Sequence, residues 1–390
     1  MIILWIISLS VAAIWLLVVA RNLAEYRATP RLVPRPVQPA PASVSVIVPA
    51  RDEAGNIGRC LESLLAQEPP VLEILVIDDR SSDDTPRIVE EFARRNARVR
   101  LLSAPEPPPG WTGKCHALVF GVEQGKPRGD WLLFTDADTR HHPLGIAAAL
   151  DYARAESLDL LTLIPHLEAG SFWERVVQPS VAALIALFNR PSRVNDRSRP
   201  DVFANGQFML LKSSSYRTVG GHRAVRGKVL EDVELARALR AAGFEMRLAL
   251  GLDLFSTRMY RSLAELISGW TKNFHLILRS RPGRVLLATA ASLALSLWPP
   301  IAAALALAAL ATGTAHPAMA ATVVGLYGLV LSLQTLLRAL NRWYPAYAPL
   351  APLGNLFAVF ILLRSARLHR SGRSVRWKGR EVWDEKGPGQ

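Results

Sequence analysis

Two carboxylates held one residue apart, Asp136 and Asp138, directly follow the apolar run WLLFT. Other acids follow two further apolar runs: Glu53 comes after VSVIVPA, and Asp78 and Asp79 end LEILVIDD. Acids gathered at one place would repel each other, and a hard divalent cation such as Mg²⁺ or Mn²⁺ removes that repulsion. A cation shared with substrate phosphates would also neutralise a departing diphosphate.

These acids need a scaffold that brings the ends of several strands together. The pattern alternates predicted strands with predicted helices; the strands are 44–50, 72–79, 99–104 and 130–138, and the helices are 56–67, 84–96 and 113–125. Such alternation predicts an α/β fold with a mostly parallel, doubly wound, Rossmann-like sheet. Ligands of such sheets bind at the carboxyl ends of the strands, which is where the acids lie.

A lone Asp-x-Asp is more often a turn or a helix cap, but the strand context and the second acidic strand end favour a metal site. The sequence lacks the motifs of several other kinds of enzyme and metal site. The chain has no Gly-x-Gly-x-x-Gly, no Gly-x-x-x-x-Gly-Lys-Ser/Thr and no His-Glu-x-x-His or paired Cys-x-x-Cys. These absences argue against a dinucleotide dehydrogenase, a P-loop NTPase and a zinc site.

Composition indicates an anionic partner and a membrane. The 390 residues are half apolar and carry a formal net charge of +13. Such charge suits anionic lipid, a phosphorylated substrate or nucleic acid. No interleaved basic and aromatic pattern supports nucleic acid, so we do not expect that partner. The two cysteines have no metal-like spacing, and a reducing compartment fits them.

The first 21 residues predict a membrane anchor. Residues 2–20 carry no charge, and a helix needs about 20 apolar residues to span a bilayer. A cleaved signal peptide is the alternative, but no basic region precedes the apolar run, whereas Arg21, Arg27 and Arg31 follow it. Charge on that side predicts that the following domain is cytoplasmic. Residues 22–43, rich in proline, predict an extended linker.

The C-terminal part predicts two to three further transmembrane helices in residues 285–366. Two apolar runs are continuous, and a third, near 347–363, is broken by Pro349, Pro352 and Gly354. The tail at 367–390 is basic and should be cytoplasmic by the positive-inside rule. We therefore expect two full crossings, with the third segment dipping into the membrane or lying at its surface. The protein would be a multi-pass protein of the cell (inner) membrane.

Five stretches, in this order, resemble the family 2 glycosyltransferases with the GT-A fold: VSVIVPARDEAGNI, VIDDRSSDDT, GKCHAL, LLFTDADT and LEDVELARALRAAGFEM. The resemblance covers residues 44–275, which would be the catalytic domain with its interfacial helices. Two more stretches, PPPGWTGK and RMYRSLAELISGWTKN, resemble the transferases associated with carotenoids and hopanoids. The resemblance implies a nucleotide-sugar donor and a lipid or terpenoid acceptor.

The resemblance also implies donor-site roles. The nucleotide-sugar pocket would be formed by residues at three strand ends and one helix start: Pro49, Ala50, Arg51, Glu53, Asp78, Asp79, Lys114 and Asp136. Asp136 and Asp138 would hold Mg²⁺ or Mn²⁺, with Asp138 the more direct ligand.

Glu231 and Asp232 match the later Glu-Asp motif of the family, in which the aspartate is the catalytic base. Sugar transfer with inversion needs a base on the acceptor and neutralisation of the diphosphate on the opposite side, and a carboxylate and a metal can fill those roles. From the residues alone, the favoured interpretation of Asp232 is an acid at a helix start, where the helix dipole stabilises it.

Three residues are predicted on the acceptor side: Asn205, Gly206 and Trp270. The first two resemble a family loop, and their alternative is an ordinary glycine turn. Processive synthases carry a Gln/Arg-x-x-Arg-Trp motif after this point. The corresponding stretch here is LISGW, in which only Trp270 matches the motif. Trp270 would stack on a sugar or lie at the membrane interface. The loss of that motif argues against processive polymer synthesis.

The apolar stretch 172–188 is interrupted by Glu174, Arg175 and Pro179. It predicts an amphipathic interfacial helix that could admit a lipid acceptor, or else a helix of the core. The whole pattern predicts an inverting glycosyltransferase that uses a UDP-sugar. The rival interpretations are a membrane-bound nucleotidyltransferase and a non-catalytic scaffold with a sugar-nucleotide site. The sequence does not predict the oligomeric state.

Overall fold

The computed structural model of the protein describes residues 2–36, 42–67, 69–277, 282–371, 375–377 and 380–382. Parts of the predicted linker (37–41) and of the predicted basic tail lie outside these residues. The chain divides into an α/β unit, formed by residues 29–168 and 191–259 with the last residues of the chain, and a helical unit, formed by residues 1–28, 169–190 and 260–375. The segment 169–190 thus leaves the α/β unit and joins the helical unit.

The described strands belong to three sheets. In chain order they are β1 Val44–Ala50, β2 Val71–Asp78, β3 Val99–Ser103, β4 Trp131–Phe134, β5 Thr139–His141, β6 Leu160–Ile164, β7 His166–Leu167, β8 Met209–Lys212, β9 Met246–Leu250, β10 Phe255–Thr257, β11 Val375–Trp377 and β12 Arg380–Val382.

The large sheet has seven strands in the order β3-β2-β1-β4-β8-β6-β9. All neighbours pair in parallel except β8, which is antiparallel to both β4 and β6. The predicted α/β class and the mostly parallel sheet are therefore confirmed. The four predicted strands all form, although β4 ends at Phe134 and leaves Asp136 and Asp138 in the turn that follows.

The sheet is buried on both faces, which explains the continuous apolar runs in the sequence. Along β1, Val46 and Val48 contribute to the apolar core on one face, and Ile47 contributes to the core on the other. A smaller sheet, β5-β10-β7, begins one residue after Asp138. The core fixes the strands, and the loops at their carboxyl ends are held between rigid elements.

The described helices alternate with the strands and then form the helical unit. They are α1 Ile2–Ala28, α2 Ile57–Leu65, α3 Thr85–Arg95, α4 Gly113–Gly125, α5 Gly145–Ala155, α6 Phe172–Phe188, α7 Pro191–Val194, α8 Ser213–Thr218, α9 Glu231–Ala241, α10 Leu263–Ile277, α11 Pro282–Ala311, α12 Pro317–Leu340 and α13 Ala351–Arg370, with 3₁₀ turns at Gly221–Val225 and Pro345–Leu350.

Four helical segments among the described residues are long and apolar enough to cross a membrane: Ile2–Ala28, Val285–Ala311, Pro317–Leu340 and Pro345–Leu368. One is N-terminal and three are C-terminal, within the predicted range. Pro352 and Gly354 do not interrupt the third C-terminal segment as expected. Pro352 falls in the first turn of α13, where its missing N–H costs no hydrogen bond. Gly354 allows close packing, because a Cβ there would overlap the carbonyl oxygen of Val176 on α6.

The stretch 172–188 forms α6, whose N-terminus is closed by a capping box between Ser171 and Glu174. Its packing partners are α13 and α10, both in the helical unit. It is therefore not a core helix of the α/β unit, and its placement at the membrane surface stays a prediction.

Candidate active site

A lysine and three carboxylates from distant parts of the sequence meet in the α/β unit. The ammonium of Lys114 lies 2.9 Å from Oδ1 of Asp136 and 2.9 Å from Oε1 of Glu231. Asp232 follows Glu231 in the first turn of α9. The structure thus brings together four of the residues that the sequence predicts for the donor site and for catalysis.

Local structure explains the position of Lys114. It is the second residue of α4, whose N-terminus is capped by the hydroxyl of Thr112 accepting from the N–H of Cys115. Gly121 lets the same helix press against β2, since a Cβ there would lie 2.5 Å from a side-chain carbon of Ile77. The cap and this contact fix the position of α4 and therefore of the Lys114 backbone.

Two backbone N–H groups hold the carboxylate of Asp232. The N–H of Gly206 donates to Oδ2 at 2.8 Å, and the N–H of Val233 donates to Oδ1 at 2.8 Å. Each carboxylate oxygen therefore has a fixed donor, which orients the group and leaves other lone pairs open. Such an arrangement suits a base that must point in one direction.

The predicted acceptor-side residues Asn205 and Gly206 have structural roles that support Asp232. The side chain of Asn205 donates to the carbonyl of Leu163 at 3.0 Å, and its backbone N–H donates to the hydroxyl of Thr162 at 2.9 Å. Both partners lie on β6. Asn205 therefore anchors the loop whose next residue, Gly206, orients Asp232.

We expect Gly206→Ala to lower the transfer rate about tenfold, because a misplaced catalytic group loses rate steeply with distance. The new Cβ would lie 3.2 Å from the Lys114 ammonium and 3.3 Å from Oδ2 of Asp232, which forces small shifts in both. Initial-rate measurement of sugar transfer checks this.

Gly58→Ala is the matched control, because its Cβ would meet only Ile88, at 4.0 Å. The rate of that variant should equal the wild-type rate. An unchanged rate in Gly206→Ala would show that the loop does not constrain Asp232.

Both the pKa of Lys114 and the pKa of Asp232 are raised, for different reasons. Loss of surrounding water lowers the pKa of Lys114, but Asp136, Glu231 and Asp232 outweigh that effect and hold the pKa well above its ordinary value. Loss of water is also the main cause that raises the pKa of Asp232, to about 7. Repulsion by Glu231 adds to the rise, while Lys114 opposes it. A carboxyl that titrates near neutral pH can take up a proton during a reaction.

The predicted nucleotide residues lie at the ends of β1 and β2, which are paired in register. A guanidinium N–H of Arg51 donates to the carbonyl of Asp79 at 2.8 Å, and the N–H of Asp79 donates to the carbonyl of Ala50 at 2.8 Å. Glu53 accepts from the side chain of Asn56 at 2.7 Å. Asp78 and Asp79 are each 5% exposed.

A small cavity lies at the lysine cluster. It is lined by Lys114, Asp136, Gly206, His222 and Glu231, and Pro49 on β1 also contributes to its lining. Of the predicted nucleotide residues on β1 and β2, Pro49 is the one that this cavity reaches.

The sequence analysis did not single out His222. Its ring packs against Phe134 at the end of β4, with centroids 4.7 Å apart, and its Nδ1 lies 3.0 Å from the hydroxyl of Tyr216. Burial lowers the pKa of His222 to about 3, so the ring is neutral. The two glycines before His222 are the feature of the sequence that could have indicated this close packing. A Cβ on Gly221 would lie 2.3 Å from a ring carbon of Tyr216.

The donor atoms at the predicted metal position fit a cation that keeps part of its coordination for substrate. No group of three or more His, Cys, Asp or Glu side chains that could hold a metal occurs among the described residues. Asp136 and Asp138 together offer carboxylate oxygens only. Mg²⁺ is commonly held by one or two carboxylates plus substrate phosphates, so this pair matches that pattern and not a closed protein cage.

Trp270 lies in the helical unit, on α10. It is 6% exposed and packs between the rings of Tyr260, at 5.9 Å, and Phe274, at 6.0 Å. The acceptor role predicted for Trp270 stays a prediction.

A mixed, mostly parallel sheet with carboxylates and a lysine at its carboxyl edge is the arrangement of the GT-A-fold glycosyltransferases. The chain belongs to the family described as glycosyltransferase like family 2, whose model matches residues 40–268.

Among curated proteins, the chain is similar to 4,4'-diaponeurosporenoate glycosyltransferases. It is 28% identical over 242 residues to the protein from Staphylococcus haemolyticus and 26% identical over 242 residues to that from Staphylococcus aureus. Each match covers 59% of this chain and 60% of the relative. The resemblance to carotenoid-associated transferases that the sequence indicated is therefore confirmed.

Among solved structures, the fold is shared with a mannosyltransferase from Pyrobaculum calidifontis in complex with GDP-Man and Mn²⁺. The TM-score is 0.51 at 21% identity, with 90% of this chain and 99% of that chain covered. At that identity the likeness concerns the fold.

Proposed function

We propose that this protein is an inverting glycosyltransferase that moves a sugar from a UDP-sugar to a lipid or terpenoid acceptor at the cytoplasmic face of the cell membrane. The contact of Lys114 with Asp136 and Glu231, beside Asp232, carries the proposal. This contact places Lys114 and Asp136, which would act on the donor phosphates, next to Asp232, which would act on the acceptor.

Asp232 acts as the base in this proposal. For an acceptor that attacks through a hydroxyl group, the Asp232 carboxylate, held by the N–H groups of Gly206 and Val233, takes the hydroxyl proton as the oxygen attacks the anomeric carbon. Lys114 supplies positive charge to the departing diphosphate. Bound at Asp136 and Asp138, Mg²⁺ or Mn²⁺ would neutralise that diphosphate further.

The pH profile follows from the raised pKa of Asp232, about 7. Only the ionised carboxylate accepts a proton, so kcat/KM should rise about tenfold per pH unit below that value and level off above it. Initial rates across this range, at fixed metal and donor concentration, measure the profile. A flat profile on the acid side would contradict the assignment of Asp232 as base.

The acceptor class is supported by the relatives. The two similar proteins are named for transfer to diaponeurosporenoate, a carotenoid-type acceptor. The chain spans only 60% of their length, so the acceptor is proposed here as a class, lipid or terpenoid. The helical unit, with its four candidate spans, supports a membrane-borne acceptor.

For the topology we propose that α1, α11 and α12 cross the membrane and that α13 lies at its surface. Within its most apolar window α13 is 39% buried, against 22% to 28% for the other three candidates. It also packs against α6 and α10. This arrangement leaves the basic tail and the catalytic domain on the same, cytoplasmic, side.

The rival enzyme class, a nucleotidyltransferase, would release pyrophosphate instead of a nucleoside diphosphate. Incubating the purified full-length protein with a panel of nucleotide sugars and total membrane lipid, and following the products by mass spectrometry, separates the two. We expect UDP and a glycosylated lipid. Pyrophosphate release, or no glycosylated product with any donor, would refute the proposal.

A further inference from the structure

The helical unit contains a buried arginine with no carboxylate partner among the described residues. Arg338, in the last turn of α12, is 6% exposed. Its one hydrogen bond in the described part of the chain runs from Nη1 to the carbonyl oxygen of Arg175 on α6, at 3.1 Å. A guanidinium has five N–H donors, so one acceptor leaves most of its capacity unmet.

Pro179 explains the single bond that Arg338 makes. A helical carbonyl normally accepts from the N–H four residues later, and for Arg175 that residue is Pro179, which has no N–H. Arg338 supplies the missing donor from α12. This bond is structural, but it satisfies a neutral acceptor and does not balance the charge of Arg338.

Arg175, whose carbonyl accepts this bond, carries a second positive charge on its side chain. Its guanidinium donates to the hydroxyl of Tyr347 at 3.3 Å and to the carbonyl of Ala169 at 3.1 Å, and it lies 4.2 Å from the centre of the Tyr344 ring. These partners are neutral. The neighbouring carboxylate of Glu174 accepts from the N–H of Ser171 at the N-terminus of α6.

A cluster of aromatic rings lies beside Arg175. Phe172 contacts Trp173 at 5.2 Å and Tyr347 at 6.0 Å, and Tyr347 contacts Tyr344 at 6.1 Å. Tryptophan and tyrosine collect where a membrane meets water, because each has an apolar body and a polar edge. Such an aromatic cluster at the end of a candidate span is typical of the level of the lipid headgroups.

We propose that Arg338, with Arg175, binds a phosphate oxyanion carried by an anionic membrane lipid. Arginine pairs with phosphate through two parallel N–H donors, which the neutral partners seen here do not provide. A lipid phosphate at headgroup level meets the unmet donors of Arg338 and balances both charges. The same chemistry would also suit free phosphate, and the experiment below separates the two sources.

The test uses the full-length protein in nanodiscs of phosphatidylglycerol or of phosphatidylcholine, with retained lipid counted by native mass spectrometry. We expect wild type to retain phosphatidylglycerol selectively and Arg338→Gln to retain about fivefold less, because glutamine lacks the two parallel N–H donors that arginine offers to a phosphate. Arg342→Gln is the control, since it removes an exposed charge four residues further along. It should change retention little.

A third arm adds excess inorganic phosphate to phosphatidylcholine nanodiscs and measures thermal stabilisation. Stabilisation of wild type but not of Arg338→Gln would assign the site to free phosphate and overturn the lipid proposal. Equal lipid retention in wild type, Arg338→Gln and Arg342→Gln would overturn it as well.

If Arg338→Gln does not assemble, Arg338→Lys replaces it in all arms. Lysine keeps a donor for the Arg175 carbonyl and keeps the charge, but lacks the two parallel donors of arginine. We expect this variant to assemble and to retain less phosphatidylglycerol than wild type. Undiminished retention would contradict the proposal.

Discussion

Asp232→Asn should lower the rate of sugar transfer by about 10²–10⁴-fold, the usual contribution of a general base. Asparagine has nearly the same shape, but its side chain carries one acceptor oxygen, so it can keep only one of the two hydrogen bonds from the N–H groups of Gly206 and Val233. It cannot take up a proton at neutral pH. Single-turnover measurement with saturating donor and metal separates this loss from any change in donor binding, which should be small.

Glu234→Gln is the matched control for this prediction. Glu234 lies on the same first turn of α9 but pairs with Arg237, so its loss should leave the rate close to wild type. Equal rates for Asp232→Asn and wild type would remove Asp232 as the base.

Asp232→Asn should also make the fold more stable at alkaline pH. The pKa of this carboxyl rises from 3.8 to about 7 on folding, so the native state binds the proton more tightly than the unfolded state. Between these two values the free energy of unfolding contributed by Asp232 therefore falls as pH rises. An uncharged residue removes that penalty, and thermal unfolding above the raised pKa measures the gain.

Asp138→Asn should lower metal-dependent transfer by roughly 10³-fold, which corresponds to about 4 kcal/mol of lost transition-state stabilisation. The reason is the small donor set: no group of three or more metal-ligating side chains occurs in the part of the chain that the structure describes. In the proposed site Asp136 and Asp138 are the two protein ligands, so loss of one removes half of them. Rates measured over a Mn²⁺ titration should show a much weaker metal dependence.

Asp130→Asn is the control for that substitution. Asp130 precedes β4 at the end opposite to Asp138, where its carboxylate accepts from the N–H of Ser43 at 2.9 Å. We expect the wild-type metal dependence to persist. If Asp138→Asn and Asp130→Asn had the same Mn²⁺ requirement as wild type, the metal would have to lie elsewhere.

The sheet could be predicted because its strands are buried on both faces and therefore read as unbroken apolar runs. Val46 and Val48 face one core and Ile47 the other, and no polar residue interrupts them. The end of β4 was less well predicted. The apolar pattern stops at Phe134, but the acids beyond it were assigned to the strand, whereas they lie in the turn that leads to β5.

The individual acids could be predicted, but their contacts could not. Lys114 and Glu231 meet only because α4 and α9 both begin at the same edge of the sheet, and that depends on the strand order. The position of the neutral His222 could not be predicted either, because it depends on a turn that only glycine at 221 permits. Gly206 was predicted for the acceptor side, yet its backbone N–H holds Asp232.

The helices posed a different difficulty. The spacing of α6 is the same for a core helix and for an interfacial one, so periodicity left both open. Contact with α13 through Gly354 placed it in the helical unit. Gly354 was expected to break a helix, and it instead lets two helices approach closely.

The most direct test of the central claim is titration calorimetry of the purified full-length protein with UDP-glucose and related UDP-sugars, with and without Mn²⁺. The claim is that carboxylates at the sheet edge hold a divalent cation, which in turn holds the donor diphosphate. We expect binding heat for at least one UDP-sugar only when Mn²⁺ is present, and none with Asp138→Asn. Equal binding with and without the metal, or no heat with any UDP-sugar, would contradict it.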